Sequence, residues 1–280
     1  MNANALSTNA RGQARRAARS RVVDIGARAG FAARGVIYLL VGTLALRIGF
    51  SDGGGKQADR GGAIAEIAEK PFGNILLWVL GAALAGMALW RLSEAAFGQA
   101  GPDGDKPVKR VMAGGRAVFY AFVSYSVLSY AAGDKGSGSG SSDAQTNDVT
   151  ARALEWPAGQ WIVGIAGAVV AGAGLWIAFR AVARKYHKHL KTAEMSKRTR
   201  QAVDVVGVFG GGVRGIVFAT AGGFAIAAAV QHEPGRAKGM DDTLRSFTET
   251  PAGPWLLVLV ALGLAAFGFF SWANARWRKV

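Results

Sequence analysis

Six stretches of this chain, at about 32–50, 74–97, 112–132, 160–181, 206–230 and 254–275, are apolar over lengths that cross a bilayer as helix. A soluble chain would scatter such residues at helix or strand spacing, whereas here they are gathered into blocks of about 20. The blocks come in pairs, because two signatures recur. Arg34-Gly35-Val36-Ile37-Tyr38 returns as Arg214-Gly215-Ile216-Val217-Phe218 and, altered, as Arg116-Ala117-Val118-Phe119-Tyr120, each opening a run. Glu69-Lys70-Pro71, Glu155-Trp156-Pro157 and Glu249-Thr250-Pro251 each stand before the next run. From arginine to proline the chain takes 37, 41 and 37 residues, so the middle copy departs in its loop. The expected fold is an all-α integral membrane protein. Its six transmembrane helices form three parallel two-helix repeats, closed about a pseudo-threefold axis or left open. The repeats fall at 23–97, 105–182 and 203–276, with a basic arm at 1–22 and a basic linker at 183–202 that extends the fourth span as helix.

Charge orients the spans. A net charge of +15 would point to nucleic acid in a soluble protein, but in a membrane protein its distribution decides. Twenty-four of the 33 Lys and Arg lie on the side that holds both termini, and twelve of the 18 acids lie on the other. By the positive-inside rule both termini are cytoplasmic. Trp90, Trp176 and Trp272 fall near the cytoplasmic ends of their spans, and Trp156, Trp161 and Trp255 near the outer ends, as interfacial belts would have them. The Gly/Ser-rich stretch from Gly133 to Asp148 reads as a flexible outer loop.

The chain has 40 glycines and no cysteine, which excludes disulfides and thiol chemistry. Gly207, Gly211 and Gly215, and likewise Gly164, Ala168 and Gly172, recur every four residues and make smooth stripes for helix contact. Gly210 to Gly215 match G-x-G-x-x-G, but no strand precedes them and a span follows, so no dinucleotide site is read there. His187 and His189, two apart, face different ways on a helix and make no metal pair.

The tandem Arg-Gly start and the Pro-led second helix resemble the bacterial membrane proteins catalogued as domain of unknown function 1206, over about residues 23 to 276. The middle copy departs most, with Ala117 for the glycine and Lys106 where Asp24 and Asp204 stand in the other two. The resemblance implies a multi-pass protein of the bacterial cell membrane and brings no activity with it.

Three sets of residues are candidate sites. Arg34, Arg116 and Arg214 stand about 24 Å before the outer end of their helices, at the cytoplasmic boundary of the hydrocarbon. The ordinary reading is that they snorkel to headgroups. The rival reading is an inward ring of guanidinium groups that binds phosphate or carboxylate, because the small residue after each arginine suits close packing. Glu69, Glu155 and Glu249 read as carboxylates at helix starts, with an outer ring collecting a cation as the rival. Asp24 and Asp204 lie ten residues before their arginines, about 15 Å along a continuous helix, and are ion-pair partners only if the helix breaks or another copy supplies the cation.

No constellation of an enzyme, metal site or cofactor site stands in the chain. The expected protein is non-enzymatic and acts through lipid or protein contacts, with anionic membrane lipids as partners and no nucleic acid. A small-solute or ion passage along the repeat axis is the alternative, and it requires polar residues continuous between the Arg and Glu levels.

Overall fold

A computed structural model of the chain describes residues 21–50, 57–98, 106–134, 142–248 and 253–279. Residues 1–20 of the basic arm, the Gly136–Gly140 segment, Glu249 and Pro251 lie outside the described residues.

Among the described residues six helices are long and apolar enough to cross a membrane: α1 (Arg21–Phe50), α3 (Gly73–Phe97), α4 (Pro107–Ala131), α6 (Gly159–Val182), α7 (Lys197–Gln231) and α9 (Gly253–Trp277). Three short helices, α2 (Arg60–Ala68), α5 (Ser142–Leu154) and α8 (Met240–Ser246), sit between the spans of each repeat. The repeat is therefore span, short helix, span. The expected flexible loop is corrected here, since from Ser142 onward it is helix α5.

The short helices explain the second signature. The chain leaves α2 and turns at Lys70–Gly73, with the Gly73 amide donating to the Lys70 carbonyl at 2.8 Å; Trp156–Gly159 repeats that bond at 2.8 Å. Pro71 and Pro157 hold the second position of these turns, where a fixed φ suits proline. A Cβ at Gly73, Gly159 or Gly253 would lie 2.3, 2.0 or 2.2 Å from a backbone carbonyl oxygen of the preceding segment, so all three copies need glycine. Glu69 thus stands at the C-cap of α2 and not in the first turn of the following span. Glu69 and Glu155 are exposed. Among the described residues no three His, Asp or Glu converge as a metal site.

The spans pack in the order α4, α3, α1, α9, α7, α6. Each interface between repeats joins the first span of one to the second span of another, and the three use the same register. The residue eight after the arginine meets the residue ten after the proline. A Cβ at Gly42 would lie 2.9 Å from the Ala261 carbonyl oxygen, and one at Gly222 would lie 2.7 Å from that of Gly167. In the middle copy Ser124 takes the glycine's place, and its Oγ donates to the Gly81 carbonyl at 2.8 Å. This is the contact expected of close-packed membrane helices, with small residues or a hydroxyl where backbones touch. The pseudo-threefold arrangement lives in these three interfaces.

Within the repeats the symmetry fails once. α1 packs on α3 and α7 on α9, but α4 and α6 form no such interface. The residue four before the arginine accounts for it. Gly30 and Gly210 occupy that place, and a Cβ would come within 2.3 Å of Met87 Cβ and of the Phe267 amide nitrogen, respectively. The middle copy has Met112, whose side chain forbids the same approach. The bundle is a six-helix ring open at the middle repeat.

Two further expectations are corrected. The linker does not prolong α6. The chain turns at Arg184 (φ 50°) and continues as two 3₁₀ turns, His187–His189 and Thr192–Glu194, before α7. It crosses the basic end, with Leu190 buried and Lys191 donating its amide to the Trp277 carbonyl at 2.8 Å. The stripe Gly164, Ala168, Gly172 touches α7 only at Gly164, where a Cβ would lie 3.6 Å from Ala229 Cβ; Ala168 and Gly172 are exposed, and a Cβ at Gly172 meets nothing within 4 Å. Gly167 and Gly174 face α7 instead. Of the six tryptophans placed in belts, Trp90 is buried and packs edge-on against Phe31 at 5.4 Å, while the other five are exposed.

Candidate functional site: an arginine cluster at the basic end

Each repeat arginine is followed by a residue that backs onto a neighbouring repeat. A Cβ at Gly35 would lie 2.3 Å from the Trp272 ring, and one at Gly215 would lie 2.6 Å from the Gly174 carbonyl oxygen. Ala117, in the same register, is buried. Close contact at this position turns the arginine before it toward the bundle.

The arginines then meet aromatic residues of other repeats in a cyclic pattern. Arg214 Nε donates to Tyr38 OH at 2.7 Å, and Arg34 Nη1 donates to Tyr120 OH at 3.3 Å. Both acceptors stand four residues after an arginine, one in repeat 1 and one in repeat 2. The third acceptor in the cycle would be Phe218, which has no hydroxyl. Arg116 accordingly has no hydrogen bond or ion pair among the described residues. Its electrostatic surroundings are Arg91, Glu94, Arg180 and Tyr120.

Arg34 also donates through Nε to Ser271 Oγ at 3.0 Å, and its guanidinium lies 4.8 Å from the Phe31 ring and 5.1 Å from that of Phe267. Arg214 lies 4.8 Å from the same Phe267 ring and 4.9 Å from Phe218. Phe267 is thus shared by two cations, which like-charge repulsion opposes and the ring's negative faces offset in part.

Two more arginines complete the cluster. Arg91 is buried, pairs through Nη1 with Glu94 Oε2 at 2.6 Å, and lies 4.1 Å from the Trp90 ring. Arg278 donates to Asn274 Oδ1 at 3.2 Å and lies 5.0 Å from Phe31 and 5.2 Å from Trp90. Burial and then the neighbouring Arg91, with Arg34 and Arg116 adding, lower the Arg278 pKa to about 9, against the opposing effect of Glu94. The group remains a cation at neutral pH. The Nε atoms of both Arg91 and Arg278 are buried donors with no partner. His189, in the linker above, feels the same field. Burial and then Arg278, Lys188, Arg180 and Arg91 hold its pKa down to about 3.

Five arginines from four spans and the C-terminal segment therefore gather at this end, and Glu94 is the carboxylate that three of them, Arg91, Arg116 and Arg278, share. The structure brings Arg34 and Arg214 onto one ring and sets Arg116 within electrostatic reach of Arg278 and Arg91. Asp24 and Asp204 do not join them. Helix α1 is continuous, and Asp24 pairs one turn on with Arg28 at 3.0 Å. Asp204 accepts from His187 Nε2 at 2.5 Å and Tyr186 OH at 3.1 Å, which ties the linker to α7. Sequence reasoning did not single out Arg91, Glu94, Arg278, Phe267 or the two tyrosines. The tyrosines had a signal, because Tyr38, Tyr120 and Phe218 form one column of the repeat alignment.

A protein of Bacillus subtilis (strain 168), "Uncharacterized protein YxxB", is 27% identical over 244 residues, covering 87% of each chain. No solved structure matches the chain. Residues 29–98, 111–184 and 209–278 each match the family described as Domain of Unknown Function (DUF1206), one match per repeat, and the chain belongs to that family.

Proposed function

We propose that this chain is a non-enzymatic protein of the bacterial cell membrane that holds an anionic group, phosphate or carboxylate, in its arginine cluster. The basic end and both termini face the cytoplasm. The observation that carries the reading is the gathering of five guanidinium groups at this end, three of them sharing the carboxylate of Glu94, with two buried Nε–H donors unmatched. Buried cations are kept where a counter-charge completes them, and planar guanidinium forks suit oxyanions. A passage along the repeat axis has less support, because the core between the arginines and the opposite end is filled by Leu44, Leu84, Val127, Val217 and Leu264, all buried.

The test is binding of inorganic phosphate and of anionic lipid to purified protein, wild-type and variant. Each converging charge-assisted bond is worth about 1.5–3 kcal/mol. Arg116→Lys is therefore expected to weaken binding roughly tenfold or more while leaving thermal stability near wild type, since lysine keeps the charge that faces Glu94 and Arg116 has no hydrogen bond to lose among the described residues. Arg34→Lys and Arg214→Lys lose affinity and some stability together, because each also breaks a bond to a tyrosine. Wild-type affinity in all three would sink the site.

Orientation has its own test. Reporter fusions after Gly54, Gly138 and Lys238 are expected to score external, and fusions after Lys106 and Lys191 cytoplasmic. One reversed loop would overturn the topology.

A further inference from the structure

The ring of helices opens beside Arg116, the repeat arginine that has no hydrogen bond or ion pair among the described residues. In repeats 1 and 3 the first span touches the second through Gly30 and Val213, which meet Met87 and Gly263. The matching positions of the middle repeat are open. Val108 and Met112 on α4, and Val169 on α6, are exposed. A Cβ built at Gly115 or at Gly172 meets nothing within 4 Å. Ala173 beside Gly172 is exposed as well. The result is a cleft with apolar and small-residue walls inside a bundle whose other five neighbouring helix pairs are packed.

Two cations border this cleft. Arg116 directly follows Gly115 on α4, and Arg180 stands two turns beyond Ala173 on the same side of α6. Each lies in the other's field. An apolar cleft in a bilayer is filled by acyl chains, and a phosphate is what two guanidinium groups at its rim recognise.

We infer that the ligand of the arginine cluster is an acidic phospholipid that enters sideways between α4 and α6, its acyl chain in the cleft and its phosphate between Arg116 and Arg180. This rests on the anion-binding reading above and adds the source of the anion and its route. A free phosphate would need the arginines but not the cleft. A lipid needs both.

The experiment separates them. Gly115→Trp and Gly172→Trp fill the cleft from opposite walls at positions with room, and neither touches an arginine. Two measurements are made on each variant: inorganic phosphate binding to the detergent-solubilised protein, and phosphatidylglycerol retention in mixed nanodiscs with phosphatidylcholine, read by native mass spectrometry. Both tryptophan variants are expected to lose phosphatidylglycerol at least tenfold while phosphate binding stays within twofold. Arg180→Ala is expected to reduce both. Tryptophan variants that retain phosphatidylglycerol at the wild-type level overturn the lateral route and leave the anion site standing. So does equal retention of phosphatidylcholine. Absence of both ligands from the wild type overturns the anion site itself. A dimer that persists without lipid and is dissociated by the tryptophans would place a second copy in the cleft and overturn the lipid assignment.

Discussion

Gly210→Ala is expected to destabilise the protein sharply, and Gly212→Ala, two residues along the same helix, to leave it unchanged or slightly more stable. A Cβ at position 210 would lie 2.3 Å from the Phe267 amide nitrogen and 2.7 Å from its Cα. Those atoms are backbone, so no rotamer change relieves the clash and α7 must move off α9. Overpacking of this kind costs about 3 kcal/mol at the upper end of its usual range. At Gly212 nothing lies within 4 Å, and alanine gains helix propensity of up to about 1 kcal/mol. Thermal unfolding in detergent, followed by circular dichroism, gives both numbers. Gly210→Met goes further, because it writes the middle repeat's residue into the third. It is expected to open the α7–α9 pair, lowering the stability below that of Gly210→Ala. If Gly210→Ala and Gly212→Ala unfold at the same temperature, the account of why one repeat is open and two are closed is wrong.

That account was open to a reader of the sequence. The repeat alignment places Gly30, Met112 and Gly210 in one column, and a helix pair that needs glycine in two copies cannot be the same pair with methionine in the third. The six spans and the three repeats were legible, because the bilayer forces long apolar blocks and duplication leaves both signatures at fixed spacing; three equal two-helix hairpins were not what the chain forms, since α4 and α6 make no interface. The short helices were less so. Residues 60–68 and 240–246 are too brief for a periodic pattern to declare itself, and α5 is polar along most of its length. The linker misled for a different reason: its Lys, Arg, Ala and Leu favour helix, but the chain must turn back across the basic end to begin α7, and Arg184 takes a positive φ to do so.

The site was legible only in part. Arg34, Arg116 and Arg214 stand out because they repeat. Arg91 does not repeat, as the matching positions in the other second spans are Ser271 and Ile177. Yet Arg91 and Ser271 both lie at the arginine level, one in the cluster and one accepting from Arg34. Residues that break a symmetry are invisible to a search for what is shared. The cluster's asymmetry comes from them: a tyrosine replaced by Phe218, a serine by Arg91, and Glu94 where the other copies have Arg180 and Asn274.

Glu94 carries the largest expected effect in the molecule. It is buried, bonded to Arg91 at 2.6 Å, and opposes the charge of Arg116 and Arg278. Glu94→Gln keeps the side chain's volume and removes the carboxylate that Arg91, Arg116 and Arg278 share. Breaking a buried pair by removing one partner costs about 3–5 kcal/mol, because the remaining charge is left uncompensated. The variant is therefore expected to be much less stable than wild type in anion-free buffer. Its affinity for inorganic phosphate is expected to rise, since the carboxylate competes with any bound anion for the same guanidinium groups. Added phosphate should then restore stability, by about 2.7 kcal/mol at 100 times its dissociation constant. The two effects have opposite signs, and that makes the variant decisive. An ion pair that only braces α3 would give the loss of stability without the gain in affinity, and phosphate would not rescue it. Unfolding curves of Glu94→Gln over a phosphate titration, with chloride at matched ionic strength as the control for screening, distinguish a brace from the fixed counter-charge of an anion site.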